Sequence, residues 1–465
     1  TEVNFGPFGD LWTTLPYYWA PGQLAVQVFD VSDTARPKHL VTADIRGVFV
    51  ASRRIGDQLV LVTRHTPYAL IDPAARPRLA SLELDELLPT ITIDGRERGL
   101  VDARSCYVSS DPGTGTGGHA TLTTITTFSL ANPRDFQSTC YDEPANGVYA
   151  SQTALYVSQP RSGATASTRI HKFSLTAAAP RYAGSAEVPG QLWMSGQSDF
   201  RMSEHDGLLR VMTTEWTPDP ADSVDHRLFV LRENAAGHAL DITARLPNDA
   251  RPEEIGKPNE TLYGVRFVGD RAYAVTFRRI DPLYVIDLST PSDPRIAGEL
   301  QIPGTSDLLH PVSDDLLLGV GSDANRVKVE LFDVSVPGSP QSRGALMVDG
   351  VQSWSEVTYD HHAFTYLPAA ASDRLAIPAT SSHPSFAPPL HVQTALFQYE
   401  VIGKQVAGSA SLQAAGSVLP QPGGASYLTS ALNRSFIDGD TVYYVRDGQV
   451  WSSSWFTPSQ IRGPF

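Results

Sequence analysis

The 465 residues carry 36 Lys and Arg against 50 Asp and Glu, a formal charge of -14 with a pI near 5.3. That surface repels phosphate backbones and anionic membranes, which excludes nucleic acid as an expected partner and leaves neutral or cationic ones. Short apolar runs punctuated by 36 Gly and 35 Pro favour an all-β chain, and no run approaches the roughly 20 apolar residues that a membrane-spanning helix needs.

In chain order, Gln23 to Val62 opens a pattern that recurs. Phe29-Asp30-Val31-Ser32 with Pro37 is matched by Ile286-Asp287-Leu288-Ser289 with Pro294 and by Phe332-Asp333-Val334-Ser335 with Pro340. Each reads as a strand ending at Asp and Ser, whose side chains bond the turn backbone, with Pro leading into the next strand. Weaker copies are Phe128 to Leu130 with Pro133 and Phe173 to Leu175 with Pro180.

A hairpin recurs beside this motif. Arg54 to Val62 aligns with Phe267 to Val275, where Gly-Asp supplies the positive-φ corner of a tight turn. Further copies are Tyr149 to Val157, Glu204 to Met212, Ser313 to Gly319, Asp360 to Tyr366 and Ile437 to Val445, which makes seven hairpins. A repeating four-strand antiparallel unit is a propeller blade, so the pattern predicts one propeller over 1–465 with seven four-stranded blades. Eight is the alternative if His65 to His119 hides a divergent unit. The phase of the two ends predicts closure by N-terminal and C-terminal strands in one sheet. Residues 65–119, 368–391 and 405–426 break the period and read as insertion loops, the usual seat of binding. The start at Thr1 without Met suits a processed chain. Cys106 and Cys140 are the only cysteines; they fit one disulfide in an oxidising compartment or two buried thiols.

Gly113 to Gly118 satisfies G-x-G-x-x-G but lacks the strand and helix that a phosphate cradle requires. Short signatures of acyl transfer, zinc proteolysis and thiol redox are absent. His361-His362 reads as a pair of solvated turn histidines, since neighbours in an extended chain point to opposite faces and do not share a metal easily. Superposing the hairpins places Arg53, Ser203, Arg266 and His310 at equivalent first-strand positions, a candidate axial polar ring with Glu204, Ser306, Asp307 and Glu356 as partners. Such charges lock blades through bonded pairs or line a ligand site. Acidic turns at Asp314, Asp315, Asp438 and Asp440 leave calcium as a possible cofactor, although such turns ordinarily cap strands.

The stretches Val28 to Ser32, Ser52-Arg53, Thr168 to Phe173, Leu208 to Val211 with Thr213-Thr214, Tyr263 to Phe277, Asp281 to Leu288, Ser306 to Pro311 and Leu331 to Ser335 resemble a family of secreted β-propellers distantly related to WD-type repeats. The resemblance covers most of Val26 to Pro378, whereas Thr1 to Gly22 departs from it. It implies a secreted, periplasmic or cell-surface propeller and brings no activity or catalytic residue with it. The leading expectation is a non-catalytic binding or scaffold module for a protein or envelope ligand, acting as a monomer or within an envelope assembly. A hydrolase or lyase with an axial polar site, and a calcium-stabilised structural protein, are the alternatives.

Overall fold

The computed structural model describes residues 22–67, 83, 87–108, 121–161, 165–192, 198–277, 281–383, 391–420 and 432–465. They form mainly antiparallel sheets joined by turns and short 3-10 segments, in two compact units. The glycine run at 113–118 and nearly all of 1–22 lie outside the described residues.

The first unit takes in the described residues of Thr1–Val188 with Arg232–Asp241. Strands Gln23–Asp30 and Lys38–Arg46 pair with each other and then with the hairpin Thr90–Ile93 and Arg96–Gly99. A second sheet runs Val48–Ile55, Gln58–His65, Leu122–Ser129 and Phe136–Tyr141, and a third runs Gly147–Ala150, Ala154–Arg161, Ser167–Ser174 and Arg181–Pro189. The segment 65–119, expected as a loop, therefore supplies strands to two sheets. Its Cys106–Tyr107 strand lies parallel to Phe136–Tyr141, and Cys106 forms the expected disulfide with Cys140.

The second unit, Pro189–Leu231 with Ile242–Phe465, carries the repeat in its clearest form. Thr261–Val268, Arg271–Phe277, Asp281–Asp287 and Arg295–Ile302 pair in chain order, as do Leu308–Pro311, Leu316–Asp323, Arg326–Asp333 and Gln341–Met347. The turn chemistry is the one read from the sequence. Asp287 Oδ1 accepts from the Ser289 backbone N–H at 2.9 Å, Asp333 does the same for Ser335 at 3.1 Å, and Asp30 for Ser32 at 2.9 Å. The third and fourth strands share a recurring bulge, between Val285 and Ile286, Glu330 and Phe332, and Gln398 and Tyr399. Each bulge adds local twist to its sheet. Cores form where successive sheets face each other: Leu316, Leu318 and Val329 pack with Leu375, Ile377 and Tyr399, all buried.

Three expectations need correction. Residues 368–391 contain the strand Ser372–His383, and 405–426 contain Ser411–Val418. Pro378 made the first look like a loop, yet it is tolerated because its side of the strand falls in the gap between partners Gln352–Trp354 and Thr365–Leu367, where its carbonyl accepts from Ser355 Oγ at 2.5 Å. Asp360 to Tyr366 is not a hairpin: Asp360 caps a 3-10 turn over His361–Ala363 that leads into Thr365–Leu367. The terminal strands do not share a sheet among the described residues, because Arg434–Asp438, Thr441–Arg446, Gln449–Ser454 and Thr457–Arg462 already complete a four-stranded sheet of their own.

Candidate functional site

Gly304 to Asp307 forms a short crossing segment before strand Leu308–Pro311, and its sequence explains how tightly it is held. The Thr305 N–H donates to the Ser322 carbonyl at 2.6 Å, the Ser322 N–H donates to Thr305 Oγ1 at 3.0 Å, and the Asp307 N–H donates to the Val320 carbonyl at 2.9 Å. This approach requires missing side chains. A Cβ on Gly321 would lie 2.2 Å from the Thr305 carbonyl oxygen, and one on Gly264 would lie 2.2 Å from that of Ser306. Backbone therefore packs on backbone on both sides of the segment, which fixes where the Asp307 carboxyl stands.

Beside this segment lies a cavity of about 810 Å³. Its walls carry three aromatic side chains, Tyr263, Phe277 and Trp354. Tyr263 and Phe277 meet edge to face at 5.7 Å, and Trp354 is 49% exposed. Between them lie Thr305, Ser322, Asn325, Gln352, Ser353, Ser355 and Thr358 with two carboxyl groups, Asp307 and Asp323, and no Lys, Arg or His. Burial raises the Asp307 pKa to about 6, against the opposing pull of the Thr305 hydroxyl and the Lys328 charge. Lys328 is committed elsewhere: it donates to the Pro303 carbonyl and pairs at 2.8 Å with Glu330, both side chains being buried.

The sequence-derived ring residues are distributed as follows. Asp307 lines the cavity; Ser306 is fully buried behind it, with its hydroxyl against Gly319 and no hydrogen-bond partner among the described residues. Arg266 lies with its guanidinium 4.5 Å over the Phe200 ring. His310 packs at 4.3 Å on Tyr366 and 5.0 Å on Phe364. Burial, helped by the Arg266 charge and opposed by Asp373, lowers the His310 pKa to about 4. Ser203 accepts from Arg210 at 2.9 Å, and Glu204 shares its strand Met202–His205. Glu356 sits in a 3-10 turn and accepts from Arg434 at 2.8 Å and from Asn433. Arg53 belongs to the first unit, in strand Val48–Ile55, and donates to the Ser52 carbonyl at 2.9 Å.

Of the acidic turns, Asp440 is bound to Arg374 at 2.8 Å, and neither Asp314-Asp315 nor Asp438-Asp440 belongs to a group of three ligand side chains among the described residues. Sequence reasoning missed the cavity's aromatic and amide lining. Tyr263, Asn325 and Trp354 come from separate repeats, and what they share is position at one end of neighbouring sheets.

The family profile described as "Beta propeller domain" matches residues 8–457. The chain belongs to that beta propeller family. Two curated relatives of the propeller are both described as uncharacterized proteins. One, from Archaeoglobus fulgidus, is 38% identical over 198 residues, covering 42% of this chain and 28% of the relative. The other, from Methanocaldococcus jannaschii, is 34% identical over 183 residues, covering 39% of this chain and 26% of the relative. The matched part is thus little more than a quarter of either relative's length. Among solved structures, the Vanderwaltozyma polyspora Nup133 β-propeller domain aligns with 71% of this propeller and 89% of its own chain, at a TM-score of 0.34 and 10% identity. The N-terminal domain of Nup159 aligns with 69% and 76% at a TM-score of 0.30, also at 10% identity. No helix among the described residues of the propeller is long and apolar enough to cross a membrane.

Proposed function

We propose that this propeller is a binding module of the cell exterior or envelope, and that its ligand is a neutral glycan held in the Asp307 cavity. The observation that carries the reading is the lining itself: three aromatic side chains, several hydroxyl and amide groups, two carboxyl groups and no cationic side chain. A sugar offers C–H faces that pack on aromatic rings and hydroxyls that exchange hydrogen bonds with side-chain amides, hydroxyls and carboxyls. Phosphorylated and carboxylated ligands meet two like-charged groups there and no counter-charge. Placement outside the cytoplasm is supported by the Cys106–Cys140 disulfide, a bond that persists in oxidising compartments. Seven four-stranded blades is the proposed count, with the sheets of Thr261–Val268 to Arg295–Ile302 and of Leu308–Pro311 to Gln341–Met347 as its clearest members.

Screening the chain against a panel of neutral and anionic oligosaccharides tests the proposal. Retention of neutral members alone is the expected result; retention of anionic members alone, or of none, contradicts it. The presence of two carboxyl groups in one cavity, Asp323 and Asp307 with its raised pKa, favours a second reading, a glycan hydrolase in which Asp307 donates the proton. Release of new reducing ends from a bound oligosaccharide distinguishes hydrolysis from binding.

A further inference from the structure

The 3-10 turn at Asp360 to Ala363 changes what the adjacent histidines can do. In an extended chain their rings would point apart, but here they lie 4.0 Å apart at an interplanar angle of 31°. The carboxylate of Asp360 turns back onto the same side: Oδ1 accepts from the His362 backbone N–H at 3.0 Å and lies 2.8 Å from His362 Nδ1. One ligand atom from each of Asp360, His361 and His362 lies within 4.8 Å of the others. We propose that Asp360, His361 and His362 form a binding site for a divalent transition-metal ion, with zinc as the reference ion.

The chemistry of the donors favours this ion class. Two imidazoles and one carboxylate suit zinc, nickel or copper, whereas calcium and magnesium prefer oxygen-only sets. The 2.8 Å between Asp360 Oδ1 and His362 Nδ1 is a bite that an ion about 2.1 Å from each can span. On binding, the ion takes the place of the proton that now bridges the two atoms: a neutral imidazole passes that proton to Nε2 and releases none, whereas an imidazolium releases one. The surroundings hold the donors without completing the shell. Arg434 binds the other oxygen, Asp360 Oδ2, at 2.5 Å and is itself paired with Glu356, so the guanidinium charge is balanced next to the site. Phe200 packs at 5.0 Å on the His361 ring and fixes it from behind, while the His362 side chain is 58% exposed and leaves a path for the ion and for water as a fourth ligand. Consecutive ligands in a tight turn need no long-range folding event to meet.

The test uses the chelator-treated full chain titrated with zinc by calorimetry, followed by cobalt, whose visible absorption reports nitrogen and oxygen ligation. The expected result is one equivalent bound, with affinity lowered in His362→Ala by more than about 10-fold, the loss that outer-shell changes already bring. His361→Ala should behave alike; if its packing against Phe200 makes it fail to fold, the exposed His362 variant still decides. His205→Ala, at a histidine paired with Asp270 away from this turn, should bind zinc as the parent does. Absence of zinc binding in the parent chain, or equal affinity in the parent and a folded His362→Ala, overturns the proposal.

Discussion

Glu356 and Arg434 are joined at 2.8 Å although the Glu356 side chain is only 7% exposed. Asn433 gives the same carboxylate two further hydrogen bonds, at 2.9 and 3.1 Å. The pair ties the turn after strand Gln352–Trp354 to the start of strand Arg434–Asp438, so a residue drawn from the sequence as part of a polar ring acts here as a lock between neighbouring sheets. Arg434→Ala leaves that buried carboxylate short of its counter-charge. The expected loss is about 3 kcal/mol of unfolding free energy, the low end for such deletions because Asn433 remains. Urea denaturation of parent and variant measures it.

His226 makes stability depend on pH. It is buried, its Nε2 donates to the Glu260 carbonyl at 2.7 Å and its Nδ1 accepts from Thr214 Oγ1 at 3.0 Å, an arrangement that needs the neutral ring. Burial lowers its pKa to about 4 from 6.5. Between those values the unfolded chain binds the proton and the folded chain does not, so stability falls as pH drops from 6.5 to 4, by about 3 kcal/mol for this one group. Asp307 acts oppositely: its raised pKa favours the folded state below 3.8 and that contribution is lost as pH rises through about 6. Denaturation at pH 6.5 and pH 4 should show a net loss on acidification, and His226→Gln should reduce the difference.

The hairpin corners and the Asp-x-Ser strand ends were legible in the sequence because their cause is local. Gly56, Gly269 and Gly439 take the positive φ that their turns require, and Asp30, Asp287 and Asp333 bond backbone two residues away. The strands at Ser372–His383 and Ser411–Val418 are hard to read because Ser and Ala are frequent in both and Pro378 interrupts the first, and what places Pro378 in a strand is a gap between two partner strands. The hairpin at Asp360 to Tyr366 fails for a local reason of its own: the Asp360 cap curls the chain into a 3-10 turn where the repeat predicts a corner. The cavity is beyond the reach of sequence, since Asp307 alone of its lining belongs to the candidate polar ring and the rest assemble through sheet packing.

Opening the Cys106–Cys140 bond should matter more than its place near the chain's start implies. It closes a span of 34 residues and anchors the Cys106–Tyr107 strand beside Phe136–Tyr141. The Cys106→Ser and Cys140→Ser double variant is expected to lose roughly 3 to 4 kcal/mol on the chain-entropy account. Thermal and urea unfolding of the two forms provide the comparison.

Gly321 links packing to the site. A methyl group there meets the Thr305 carbonyl at 2.2 Å, and backbone on both sides cannot yield without moving the segment that carries Asp307. Gly321→Ala should therefore cost about 1 to 3 kcal/mol and lower ligand affinity as well. The same change at Gly408, where an added Cβ meets nothing within 4 Å, should do neither.

The most direct test of the Asp307 cavity as the binding site is calorimetric titration of the best-retained neutral oligosaccharide into parent chain and Trp354→Ala. Trp354 is half exposed on the cavity wall, so its removal should leave stability within about 0.5 kcal/mol of the parent. Affinity should fall by about 10-fold or more, the worth of an aromatic face against a sugar or base ring. Unchanged affinity in a folded Trp354→Ala would contradict the account.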